Sequence, residues 1–225
     1  MYFWYWSLIL LLPAVALGIY AQVKVRSTFN HYSQIPAARG LTGAQGARLL
    51  LDSAGLTHVN VSVAGSRLSD HYDPRDRSLT LSPEVGNSKS LAALGVSAHE
   101  VGHAIQHSNA YLPFRLRSSL VPVANIGTNL GFILFFIGLF FFRSGILMNV
   151  GIVLYAGAVL FTVVTLPVEL NASRLAMAQL SDRSILVADE LAGARKVLNA
   201  AALTYIAAAL MAILQLVRLI LISRR

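Results

Sequence analysis

Cysteine is absent from the 225 residues, which excludes disulfide staples and thiolate metal ligands. Any transition metal must then be held by histidine or carboxylate. Charge is scarce too: Asp, Glu, Lys and Arg make up 12 % of the chain, half the roughly 25 % usual in a water-soluble domain. Hydrophobic residues fill 56 % of it, so the composition is that of a membrane protein. Acidic residues are the scarcest charged class, 10 against 18 basic ones, giving a formal net charge of +8. No single basic or basic-aromatic tract accompanies that charge. It therefore points to membrane topology and not to a nucleic-acid partner. There is no internal repeat and no low-complexity linker, and the expectation is a single membrane domain over residues 1–225.

What fills the chain instead is long apolar runs. A helix needs about 20 mainly apolar residues to cross roughly 30 Å of hydrocarbon. Residues 2–23, 121–142, 146–166 and 200–222 each meet that requirement. In the first run Trp4, Tyr5 and Trp6 form an interfacial aromatic anchor, and Lys24 and Arg26 follow the apolar stretch instead of preceding it. That order, without a small-residue cleavage site, reads as an uncleaved anchor. Arg143-Ser144-Gly145 is the turn of a membrane hairpin between the second and third runs. Ten Lys or Arg residues, Arg67 among them, lie between the first and second runs, and Arg174, Arg183, Arg195 and Lys196 follow the third. The positive-inside rule places both polar segments, 24–120 and 167–199, in the cytoplasm. Four full crossings put Arg224 and Arg225 outside, against that rule, so the last run is either tilted or re-entrant, or is overridden by the bias elsewhere.

The first polar segment is long enough for a small subdomain. Residues 42–54 have helical periodicity, with Thr42 as N-cap and Gly55 as the stop. Residues 59–63 and 78–82 alternate as strands, and Asp73-Pro74-Arg75-Asp76 between them reads as a turn. The 78–82 piece is the expected edge strand beside a cleft, where an extended substrate adds by backbone pairing; the alternative is a strand that merely covers the core. Ser88 or Ser90 caps a helix over residues 91–108.

That helix carries His99-Glu100-Val101-Gly102-His103. Two histidines one turn apart share a face and can direct nitrogens to a single ion. Glu100, beside them, is placed to take a proton from a zinc-activated water and hand it to a leaving amine. The bland alternative is a pair of packed helix histidines with a surface glutamate between them. A catalytic zinc needs a third protein ligand and one open position. Glu169, directly after the third apolar run, is the strongest candidate, because a carboxylate there is costly unless it is paired or interfacial; a helix cap at the interface is its alternative. His107 continues the histidine face, but as a fourth ligand it would close the site to water, so it belongs to helix packing or to the support of the ligands.

Beyond these residues, the sequence resembles the membrane-bound neutral zinc metallopeptidases of the YugP type, distant relatives of the HtpX and Ste24 membrane proteases. The resemblance spans nearly all of it. It rests on Ser69-Asp70-His71-Tyr72-Asp73-Pro74 leading into Leu79-Thr80-Leu81-Ser82, on the helix from Ala98 to Gln106, on the span pair, and on Leu166-Pro167-Val168-Glu169 followed by Asn171-Ala172-Ser173-Arg174. It implies one zinc ion bound by His99, His103 and Glu169, with Glu100 as general base. It also implies a mainly α integral membrane protein with about four transmembrane helices and a small α+β, zincin-like (gluzincin-type) cytoplasmic catalytic region. Two positions depart from the wider pattern: Ser173 stands where the HtpX and Ste24 relatives have an aspartate, and Asn171 where YugP-type sequences often have one. Ser173 is the weaker acceptor for orienting a zinc histidine.

For the oxyanion of peptide hydrolysis His71 and Tyr72 are candidate donors, His71 the favoured one; a turn histidine bonded to Asp70 or Asp73 is the alternative. Arg174 either pairs with Glu169 or Asp182 or anchors a substrate carboxylate, with pairing preferred. The function expected is a multi-pass zinc endopeptidase of the inner (plasma) membrane, its active site facing the cytoplasm. Its partners are the bilayer and protein or peptide substrates, among them unfolded or membrane-associated proteins. A metal-dependent hydrolase of a non-peptide bond and a catalytically silent membrane scaffold or chaperone are the competing classes. Transport is disfavoured, since few ionisable residues lie inside the apolar runs.

Overall fold

The computed structural model describes residues 7–64 and 69–224. Trp4, Tyr5, Trp6, Arg67 and Arg225, which entered the anchor and charge arguments, lie outside the described residues. The protein is mainly helical, with four long apolar helices and a small mixed region of short strands. In order, the elements are α1 (Leu12–Ser33), α2 (Gly43–Ser53), β1 (Asn60–Val63), β2 (His71–Asp73), β3 (Ser78–Leu81), α3 (Pro83–Gly86), α4 (Leu91–Ser108), α5 (Leu112–Phe140), α6 (Gly145–Asp182) and α7 (Ala188–Ser223).

The helices Ser7–Ser33, Leu112–Phe140, Gly145–Asp182 and Ala188–Ser223 are long and apolar enough to cross a membrane. The last three take in nearly all of the second, third and fourth predicted runs, the first takes in the described part of the first run, residues 7–23, and each extends beyond its run. The 38 residues of α6 measure about 57 Å at 1.5 Å per residue, well beyond the thickness of a hydrocarbon core. Large side chains on the membrane helices point outward, Ile146 77 % and Val153 71 % exposed, as lipid-facing residues do.

The protein divides into two compact units. One comprises residues up to Ala21, Arg115–Val168 and the residues from Leu203 onward. In it α5 and α6 form the expected hairpin. Arg143 takes the left-handed conformation (φ 47°) just past α5, and the Ser144 N–H reaches back to the Gly138 carbonyl at 2.8 Å, closing the helix end. The two helices meet backbone to backbone: a Cβ on Gly151 would stand 2.6 Å from the Gly131 carbonyl oxygen. Small residues permit such close approach where lipid offers no hydrophobic drive between helices.

The second unit comprises Gln22–Phe114 and Glu169–Ala202. Its first complete helix, α2, starts in a full capping box, in which the Thr42 hydroxyl accepts from the Gln45 N–H and the Gln45 side chain accepts from the Thr42 N–H. It ends at Gly55, whose φ of 75° favours glycine. The three-stranded sheet runs β1-β3-β2, with β1 parallel and β2 antiparallel to β3. This corrects the reading of residues 78–82 as an edge strand: β3 is central, and the edges are β1 and β2. The reason lies in β3's own alternation, since Leu79 and Leu81 are fully buried and both flanks of the strand are paired. The core packs Leu79 and Leu81 with Leu50 and Leu51 of α2 and Leu94, Ala98 and Val101 of α4.

Candidate metal centre

Helix α4 starts at Ser90, whose hydroxyl accepts from the Ala93 N–H, and is buried over most of its length from Leu91 to Gln106. A buried helix fixes its side chains in few rotamers, and on it His99 and His103 lie one turn apart with rings 4.7 Å between centroids. Helix α6 brings Glu169, 2 % exposed, against them. His99 Nε2 is 3.1 Å and His103 Nε2 3.7 Å from Glu169 Oε2. These residues form a cluster able to coordinate a metal ion, with ligand atoms within 4.8 Å of one another. Nitrogen and oxygen ligands about 2.0–2.1 Å from a tetrahedral zinc stand about 3.3 Å apart, so the observed spacings bracket what the ion requires.

The far nitrogens of both rings are held. His103 Nδ1 is 3.0 Å from Gln106 Oε1, and the Gln106 amide in turn donates to Asn171 Oδ1 at 2.9 Å. A carbonyl oxygen only accepts, so Nδ1 carries the proton and Nε2 offers its lone pair to the cluster. His99 Nδ1 lies 3.1 Å from Ser173 Oγ, the expected supporting contact. Gln106 is the partner that sequence reading missed, although its place three residues after His103 on the same helix face was a visible signal. The two helices approach closely at Gly102, where a Cβ would meet the Ala172 carbonyl oxygen at 2.6 Å.

Glu100 is buried beside the cluster and is not one of its ligand atoms. Burial pushes its carboxyl up to about 7; the His99 charge opposes that rise, and the Glu169 carboxylate adds to it. His71 sits exposed on the edge strand β2, and its charge acts on Glu100, so the imidazole stands within electrostatic reach of that carboxyl. Its Nδ1–H donates to the Ser69 carbonyl at 2.7 Å, and not to Asp70 or Asp73. Asp70 instead accepts from the Ser82 N–H and hydroxyl, pinning the start of β2 to the end of β3.

One expectation, the pairing of Arg174, comes out differently. Arg174 is exposed and pairs with neither Glu169 nor Asp182 among the described residues; residues five apart on a helix do not face each other, and Glu169 turns to the histidines. His107 stands outside the ligand cluster, its Nδ1 2.9 Å from the Tyr72 hydroxyl and its ring 5.9 Å from that of Phe114.

A half-buried histidine, a buried histidine and a buried carboxylate meeting on two helices of a multi-pass apolar protein define a membrane zinc metallopeptidase. The chain belongs to the family described as "Putative neutral zinc metallopeptidase", which it matches over residues 7–224. It is 42 % identical over 213 residues to the "Putative membrane protease YugP" of Bacillus subtilis (strain 168), covering 95 % of this chain and 94 % of that protein. No solved structure matches it.

Proposed function

We propose that the protein is a zinc endopeptidase in which His99, His103 and Glu169 hold one catalytic ion and Glu100 is the general base. The observation that carries this reading is the convergence of both Nε2 atoms on Glu169 Oε2 while Glu100 stands beside them, buried and uncommitted as a ligand. When bound, zinc supplies a Lewis acid that acidifies water and polarises the scissile carbonyl. Glu100, with its proton affinity raised toward neutrality, accepts a proton from the attacking water and returns it to the leaving amine. His71 donates to the developing oxyanion. Because its Nδ1–H is spent on Ser69, only the imidazolium form has an N–H left at Nε2 for that task. Gln106 and Ser173 keep the ligand rings in one tautomer and orientation.

An extended substrate adds along the edge of β2 that no described strand pairs, on the strand that carries His71. Backbone pairing of that kind reads few side chains and suits unfolded or membrane-associated segments. Ten Lys or Arg residues in the first polar segment and four in the second, against Arg143 alone in the hairpin turn, support a site on the cytoplasmic side of the plasma membrane. The test is reversible loss of cleavage: detergent-purified protein should cut casein, lose that activity to a zinc chelator and recover it on stoichiometric zinc. Full cleavage after verified removal of all metal would rule the reading out.

A further inference from the structure

At the C-terminal end of α4 lies a cavity of about 260 Å3, lined by that helix, the β2–β3 hairpin and the segment leading into β1. Its apolar floor includes Leu56 and Val59, while His58, Tyr72, Arg77 and His107 supply its polar wall. Among the described residues no carboxylate lines it. The Tyr72 hydroxyl is positioned by its 2.9 Å contact with His107 Nδ1, and the Arg77 charge acts on both residues. Arg77 itself has φ 56°, a left-handed conformation that glycine adopts at less cost. Among the described residues its guanidinium has no ion-pair partner, so neither backbone economy nor a structural salt bridge accounts for an arginine there. Strain kept at a cavity rim points to a binding role.

We propose that this cavity receives a carboxylate of the substrate, with Arg77 as the recognising cation and the hydrogen-bonded Tyr72–His107 pair supplying the one donor that their mutual contact leaves free to orient it. Its volume is below the roughly 300–1,000 Å3 of small-molecule sites, and suits one side chain or a free carboxyl terminus. His107 follows the ligand His103 by one helical turn, about 6 Å along the axis. An extended peptide spans that distance in about two residues. The carboxylate therefore belongs to an acidic residue two or three positions from the scissile bond, or to a substrate's free carboxyl terminus at that spacing. This deepens the peptidase reading and rests on it.

The experiment uses the zinc-loaded full-length protein in detergent and matched fluorogenic peptides. One arm places Glu or Gln at each of three positions on either side of the scissile bond; the other compares a free C-terminal acid with its amide. In the wild type one position, or the terminus, should raise kcat/KM about ten- to hundredfold over its neutral counterpart, as a charge-assisted hydrogen bond does. Arg77→Gly, which suits the backbone conformation, should bring that ratio close to one, and Arg77→Lys should restore part of it. A ratio near one in the wild type, or one that survives Arg77→Gly, overturns the carboxylate pocket while leaving the peptidase reading intact. Failure of the zinc-loaded protein to cut any peptide would instead bring down the peptidase reading, and this inference with it.

Discussion

Substituting Gly102 by alanine tests whether the helix approach at that position builds the metal centre. The new Cβ would stand 2.6 Å from the Ala172 carbonyl oxygen and 3.1 Å from that residue's Cα and carbonyl carbon. Ordinary contact begins at 3.4 Å, and all three atoms are backbone, so no rotamer change relieves the clash. The helix bearing His99 and His103 must retreat from the one bearing Glu169 by about 0.8 Å. Metal–ligand distances tolerate about ±0.2 Å, so the ligand set opens several times further than zinc allows. Overpacking of this kind costs about 1–3 kcal/mol of stability, and we expect zinc affinity to fall by at least the roughly 10–100-fold that follows loss of a supporting contact. The assay is zinc retention at buffered free metal, with thermal unfolding in detergent to show that the variant folds. Gly18→Ala is the control, because a Cβ there meets nothing within 4 Å. Unchanged zinc affinity in a folded Gly102→Ala variant would refute the reasoning.

Gln106→Leu removes the acceptor of the His103 Nδ1 proton; zinc affinity or kcat should drop about 10–100-fold while circular dichroism stays unchanged, and wild-type values in both would show that the amide does not orient the ring. For His71→Ala kcat should fall about 10²–10³-fold with KM little altered, the pattern of a lost oxyanion donor, whereas a rise in KM alone would assign His71 to substrate binding. In the chelated protein, a buried carboxyl raised from 4.5 to about 7 costs stability once pH exceeds its unfolded value. That cost grows until pH reaches about 7 and amounts to roughly 3 kcal/mol above it. Glu100→Gln removes the cost, so its melting-temperature advantage over the wild type should be larger at pH 8 than at pH 5; an equal difference at both would contradict the burial argument.

Local signals account for what was legible in the sequence. Helix α4 occupies residues 91–108 as predicted, because Ser90 is a capping residue and the apolar periodicity starts directly after it. The Thr42 cap, the Gly55 stop and the His99/His103/Glu169 set were equally readable, since each depends on residues near in sequence or on an isolated polar group beside an apolar run. Pairing partners were not. His71-Tyr72-Asp73 is too short and polar to announce a strand, and only its pairing with Ser78–Thr80 makes β3 central. The contact of Gln106 with His103 and that of Tyr72 with His107 depend on side-chain direction within the folded unit. The ends of the long helices were hidden for another reason: hydropathy marks where lipid begins, and a helix can continue beyond that boundary with its hydrogen bonds intact.

The most direct test of the central claim compares zinc content and peptide cleavage in purified wild type and Glu100→Gln, with products identified by mass spectrometry. About one zinc per protein molecule is expected in both, with cleavage at internal peptide bonds by the wild type alone. Cleavage by Glu100→Gln at the wild-type rate, or carefully prepared native protein that holds no zinc, would contradict the assignment.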